Sequence, residues 1–256
     1  MLRTRIIVSL LIDSDLHLVN TESFKKRTYI GDPLNAAYIF SNYEVDELMV
    51  LDIDASKNKK CISYEFVKAL SNFTSVPLAV GGGISKLTQI KDLLSFGVEK
   101  VVIGQNIRSD FSFLREASEK FGSSSITSII NVKKLKNGYY QSFLGTNPIS
   151  NKDILKVAYS CQENGAGELV INQIDRDGSR LGFDIDLIAE INSKLEIPIV
   201  ILGGCGDINH FKEILDATKI SGIACSSIFV YANKTKNVLL KYNEIRNQLT
   251  QKLELK

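Results

Sequence analysis

Two stretches of this chain carry residues whose types and spacing suit phosphate chemistry. Val76 to Ile84 reads V-P-L-A-V-G-G-G-I, a proline-started apolar run that ends in Gly81-Gly82-Gly83 and then enters a helical pattern. A loop without Cβ atoms lets backbone N–H groups approach a phosphate, and the helix behind it turns its positive end to the same place. Glycine turns after strands are ordinarily just turns, so one copy says little. Ile197-Pro198-Ile199-Val200-Ile201-Leu202-Gly203-Gly204-Cys205-Gly206 repeats the proline, the apolar run and the glycine loop half a chain later. Leu51-Asp52-Ile53-Asp54 precedes the first copy as Ile174-Asp175-Arg176-Asp177-Gly178 precedes the second, and Val101-Val102-Ile103-Gly104 follows the first as Gly222-Ile223-Ala224-Cys225 follows the second. Two equivalent phosphate loops on one domain imply an elongated ligand with a phosphate at each end.

The elements that must position these loops alternate along the chain. Apolar runs predict strands at Arg5–Ile12, Glu47–Ile53, Pro77–Val80, Lys100–Ile103, Ser125–Asn131, Glu168–Asn172, Ile199–Leu202 and Gly222–Cys225. Helical patterns fall near Asp32–Ser41, Ser63–Asn72, Lys86–Phe96, Phe111–Phe121, Lys152–Gln162, Asp186–Ser193, Ile208–Ala217 and Val238–Leu249. Asp13–Gly31 reads as a long polar loop. Strand then helix, eight times, predicts an α/β fold, a (β/α)8 TIM barrel with an internal two-fold repeat: one domain over 1–256 with half-barrels about 1–122 and 123–256. A doubly wound open sheet is the alternative, but it has one switch point and rarely doubles its phosphate loop. In a barrel the chemistry lies at the C-terminal ends of strands, which singles out Asp13, Asp52, Asp54, Gly81, Gly82, Gly83, Gly104, Gln105, Asn131, Asp175, Asp177, Gly178, Gly203, Gly204, Ser226 and Ser227.

Composition excludes several classes. With 44% hydrophobic residues, 256 residues suffice for a large core, and a net charge of +2 with no dense basic cluster gives no reason to expect nucleic acid. The Lys-rich tail from Lys234 reads as a solvated helix face. Without a long apolar run or an N-terminal leader pattern, no membrane is expected and the location expected is cytoplasmic. Cys61, Cys161, Cys205 and Cys225 lack ligand spacing and only His17 and His210 accompany them, so no metal and no cofactor are expected. Cys205 sits in a candidate loop, but a reactive thiol needs an activating partner, and none is visible in the sequence.

Arg5-Ile6-Ile7, Gly31-Asp32-Pro33, Asp46-Glu47-Leu48, Leu51-Asp52-Ile53, Gly81-Gly82-Gly83-Ile84, Gly165-Ala166-Gly167-Glu168, Asp175-Arg176-Asp177-Gly178 and Gly203-Gly204 occur in order across nearly the whole chain. Together they resemble the cyclase subunit of imidazole glycerol phosphate synthase, the HisF family of histidine biosynthesis. The resemblance implies a lyase-type cyclase barrel working as a heterodimer. It takes ammonia from a HisH-like glutaminase on its N-terminal face and converts a ribulosyl-formimino carboxamide nucleotide (PRFAR) to imidazole glycerol phosphate and AICAR. It also implies that Arg5, Glu47, Lys100 and Glu168 ring the ammonia inlet, although end-capping of strands would use the same residue types, and that Glu99 touches the glutaminase.

The chain departs from the family where the family keeps two aspartates, one in a C-L-D-V context ending the first strand and one in I-D-A ending the fifth. Leu11 and Asn131 stand there, and neither exchanges protons near neutral pH. Asp13 is a substitute only if its loop folds back, being roughly 6–7 Å further along the strand. Asn20 replaces a loop lysine, and Gly104-Gln105 an Asn-Thr pair. An inlet and a phosphate site kept without the acids is the pattern of paralogues that resemble those of surface-polysaccharide synthesis, in which a glutaminase and a sugar amidotransferase are partners in amidating an acetamido sugar. A working cyclase in histidine biosynthesis and a non-catalytic glutaminase activator are the alternatives.

Overall fold

The apolar runs become strands because each is covered on both faces, by the barrel interior on one side and helices on the other. A computed structural model describes residues 3–104, 111–135, 140–144, 147–148, 154–232 and 237–253. The first half contains β1 (Arg5–Ile12), β2 (Leu18–Glu22), β3 (Lys26–Gly31), α1 (Pro33–Asn42), β4 (Glu47–Asp52), α2 (Tyr64–Phe73), β5 (Leu78–Gly81), α3 (Leu87–Ser95), β6 (Lys100–Ile103) and α4 (Ser112–Phe121). The second contains β7 (Ile126–Lys134), β8 (Tyr140–Leu144), β9 (Asn147–Pro148), α5 (Ile154–Glu163), β10 (Glu168–Gln173), α6 (Ile185–Lys194), β11 (Ile199–Leu202), α7 (Ile208–Ala217), β12 (Gly222–Cys225), α8 (Ser227–Val230) and α9 (Asn243–Leu253).

Strands β1, β4, β5, β6, β7, β10, β11 and β12 pair in that order, every neighbouring pair parallel, and β12 pairs back with β1. The structure is a closed (β/α)8 barrel. Helix starts follow local chemistry: Asp32 accepts from the Asn35 N–H at 2.6 Å ahead of Pro33, and Ser63, Asp184 and Asp207 cap α2, α6 and α7 in the same way.

Two expectations are corrected. The segment Asp13–Gly31 contains the β2–β3 hairpin, and β2 adds antiparallel to the top of β1 through Leu11↔Val19 and Ile12↔Leu18. Its buried members, Leu18 to Thr21, gain their cover from the barrel mouth and so leave little apolar signal of their own. Strand β7 likewise runs on to Lys134 and turns back as β8, so the first strand of each half ends in a hairpin. The C-terminal helix starts at Asn243 instead of Val238, because the backbone before it is committed elsewhere: Leu239 N bonds Val230 O at 3.0 Å and Lys241 N bonds Phe229 O at 2.9 Å. These bonds anchor the short helix α8, which the periodicity did not predict.

Alternation along each strand sorts side chains into two cores. Ile7, Met49, Ala79, Val102, Val170 and Val200 fill the barrel interior, while a larger cluster packs between strands and helices. In the outer cluster Phe40 of α1 is fully buried and meets Phe229 of α8 edge-on at 6.3 Å between ring centroids. Phe40→Ala opens a cavity where the two ends of the barrel wall meet, and about 3–5 kcal/mol of unfolding free energy is expected to be lost in urea titration. A loss below about 1 kcal/mol contradicts that packing role.

Candidate functional site

One strand shows how both ends of the barrel are built. Arg5, Ile7, Ser9 and Leu11 occupy alternate positions of β1 and share its inner face. Arg5 therefore stands at the N-terminal mouth and Leu11 at the C-terminal mouth, roughly 20 Å apart at the usual rise per residue.

At the C-terminal mouth lies a cavity of about 600 Å³. Gly82, Gly83, Gly104, Asp177, Gly178, Gly203, Gly204, Ser226 and Ser227 all contribute to its wall, so both glycine loops meet one space. Gln105 lies outside the described residues. Gly83 has φ +61°, and a Cβ there would sit 1.7 Å from the Lys60 carbonyl oxygen, so its loop geometry excludes any side chain. Gly178, at φ +64°, faces the Thr21 carbonyl at 1.9 Å in the same test.

The β2–β3 hairpin roofs the cavity and is tied to both halves. On the second half, the Thr21 hydroxyl donates to the Asp177 carboxylate, the Ser23 N–H donates to the Asp177 carbonyl at 2.9 Å, and Asn20 Nδ2 donates to the Ser226 and Ser227 hydroxyls at 3.3 and 3.2 Å. On the first half, the Arg27 guanidinium donates two bonds of 2.6 Å to Asp54, and that pairing holds the Asp54 carboxyl below the usual range. Neither Thr21 nor Arg27 was singled out from the sequence, since a hairpin residue acquires its partner only when the hairpin folds over. Asp52 is pushed up by burial while its carboxylate caps the Asp54 and Ala55 N–H groups.

On the floor, Leu11 and Asn131 occupy the cavity wall, and Asn172 Nδ2 donates to Asn131 Oδ1 at 3.0 Å. Asn172 is another residue that the sequence did not flag. Asp13 is not brought there: its carboxylate accepts from the N–H groups of Asp15 and His17 at 3.0 and 2.9 Å, capping its own turn outside the cavity wall. Asp175 is likewise outside that wall and accepts from the Lys134 N–H at 3.2 Å.

At the opposite mouth four charges close a ring. Arg5 bonds Glu47 and Glu168, and Lys100 Nζ reaches Glu47 at 2.8 Å and Glu168 at 3.2 Å. Burial pushes the Glu47 carboxyl up despite Lys100 and Arg5; for Arg5 the two glutamates outweigh burial and raise its pKa further. Glu99 is exposed beside Lys100 on the same end.

Two glycine loops, the Ser226 and Ser227 side chains and the Arg27 guanidinium contribute to the cavity wall together with the carboxyls of Asp52, Asp54 and Asp177. Asp177 is the wall's one carboxyl pushed up to about 6, by burial against the opposing bond from Thr21. Because its folded pKa lies above the ordinary 3.8, the folded state binds the extra proton, so this contribution to stability is full below about pH 4 and lost as pH rises through about 6. Asp177→Asn is expected to flatten the wild-type decline of unfolding free energy between those values in urea titrations. An equal decline in both proteins contradicts the assignment.

The family model "Histidine biosynthesis protein" matches residues 5–236. A Leptospira borgpetersenii protein named "Putative imidazole glycerol phosphate synthase subunit HisF" is 40% identical over 94% of this chain and 96% of its own length. A Pseudomonas aeruginosa protein named "Putative imidazole glycerol phosphate synthase subunit hisF2" is 38% identical over 96% of this chain and 98% of its own. The "Imidazole glycerol phosphate synthase subunit HisF" of Streptococcus sanguinis is 31% identical, covering 90% and 92%. The chain belongs to this histidine biosynthesis protein family, with HisF proteins among its relatives.

Proposed function

We propose that this HisF-family barrel is the ammonia-receiving subunit of a cytoplasmic amidotransferase complex, and that it has lost the family's cyclisation chemistry. Ammonia would enter from a HisH-like glutaminase docked on the N-terminal face, beside Glu99, and pass the Arg5, Glu47, Lys100 and Glu168 ring. It would then support amidation of an acetamido sugar in surface-polysaccharide synthesis, with a sugar amidotransferase as third component. The observation that carries this reading is a closed charge ring beneath a cavity with leucine and asparagine at positions 11 and 131.

Electrostatics supports the first half. Two positive and two negative groups balance, so a neutral molecule meets no net charge there. Above the ring lie Ser9 and Thr127, buried hydroxyls whose oxygens find no hydrogen-bond partner among the described residues. A small neutral hydrogen-bonding species such as ammonia would satisfy them. Acid–base chemistry supports the second half. Losing one general acid or base costs on the order of 10²–10⁴ in rate, and an amide beside a leucine restores neither. Of the wall carboxyls, Asp52 and Asp177, both pushed up by burial, favour the competing reading of a working cyclase.

The purified chain, given ammonium and the ribulosyl-formimino nucleotide, is expected to release no AICAR above background. Turnover within about tenfold of a HisF cyclase overturns the loss of cyclisation. In the complex, Lys100→Met is expected to depress glutamine-driven amidation while ammonium-driven amidation persists. Equal loss of both assigns Lys100 to stability of the barrel instead, and unchanged glutamine use removes the ring from the ammonia route.

A further inference from the structure

The cavity floor holds an acceptor that no neighbouring group satisfies. Asn172 lies on the inner face of β10, between its register partners Asn131 on β7 and Leu202 on β11. It lines the cavity and is only 7% exposed. Its amide is fixed in direction: Nδ2 donates to Asn131 Oδ1 at 3.0 Å, and reversing the group would set two oxygens against each other. The oxygen is left over, and Asn172 Oδ1 has no hydrogen-bond partner among the described residues. Gly203 leaves room beside it. A Cβ at that position would come within 3.3 Å of Asn172 Oδ1 and 2.8 Å of the Gln173 carbonyl oxygen, and a φ of +93° disfavours any side chain there. Ser9 Oγ is a second buried oxygen of the same wall without a partner.

We propose that Asn172 is a specificity-determining residue that accepts a hydrogen bond from a neutral amide N–H of the ligand. A buried acceptor costs free energy until a donor reaches it, so the floor favours ligands that bring one. An ionised carboxylate or phosphate oxygen only accepts, and would meet the Asn172 oxygen with charge of the same sign. The selection follows from the pairing with Asn131, which spends the Asn172 donor inside the protein and leaves only its acceptor to the cavity. The sugar-amidation reading supplies the amide, as the N–H of an acetamido group. The proposal rests on that reading for the identity of the group, and on the Asn172 geometry for the need of a donor.

The test compares N-methylacetamide with methyl acetate, uncharged compounds of the same shape that differ in one N–H. Each is titrated into the isotope-labelled full-length chain while nuclear magnetic resonance follows the side-chain amides of Asn172 and Asn131 and the backbone amide of Gly203. N-methylacetamide is expected to shift these signals saturably and to bind about tenfold more tightly than methyl acetate, as one net hydrogen bond to a buried acceptor brings. Asn172→Leu is expected to abolish that preference at Gly203 while leaving the Gly83 amide, in the other glycine loop, where it was. The comparison of the two compounds is made on the unaltered protein and so does not depend on that variant folding. Equal binding of the two, no response at Asn172 and Gly203 to either, or a preference that survives in a folded Asn172→Leu protein overturns the proposal. Failure of the complex to amidate any sugar would remove the sugar reading and leave the preference for an N–H donor to stand or fall on this titration.

Discussion

Closing eight parallel strands into one hydrogen-bonded cylinder constrains everything else in this protein. Strands β1, β4 to β7 and β10 to β12 each pair with a neighbour on both sides, and each is left with one inward and one outward face. The inward face of a strand then passes through three environments in order. On β10 these are Glu168 in the ring, Val170 in the interior core and Asn172 at the cavity floor. A one-residue shift in register would exchange all three for outward-facing residues, so ring, core and floor stand or fall together.

The two mouths solve opposite electrostatic problems. At the N-terminal mouth four charges are taken largely out of water and are tolerable because each carboxylate meets both cations. At the C-terminal mouth charged groups on the cavity wall are held by the hairpin, Asp54 by Arg27 and Asp177 by the Thr21 hydroxyl. The hairpin that carries Thr21 and Arg27 thereby couples the two half-barrels across the cavity. Glycine at position 178 permits the close approach, since any side chain there would collide with the Thr21 carbonyl.

Membership of the HisF family and leucine and asparagine at positions 11 and 131 are compatible in physical terms. The fold depends on alternation, closure and glycine geometry, all of which survive replacement of a carboxylate by leucine or an amide at the ends of β1 and β7. Leu11 is accommodated on the cavity wall, and Asn131 finds a hydrogen-bond partner in Asn172. Neither side chain exchanges protons near neutral pH, and the barrel closes with both in place.

The sequence by itself determined the eightfold alternation, most strand limits and the paired glycine loops, because these follow from local periodicity and from motifs at fixed spacing, while the residues of the charge ring came from the family resemblance. Arg5–Ile12, Lys100–Ile103, Ile199–Leu202 and Gly222–Cys225 are strands with the limits their apolar runs predict. The tertiary structure alone decided the β2–β3 hairpin, the late start of α9 and the side-chain pairs Thr21–Asp177, Arg27–Asp54 and Asn172–Asn131. Asp13 shows the difference most plainly: its place in the sequence suggested a reach into the cavity, and a local turn used its carboxylate instead. Periodicity records which face of an element is covered, whereas the partner of a polar side chain is set by where the folded chain returns.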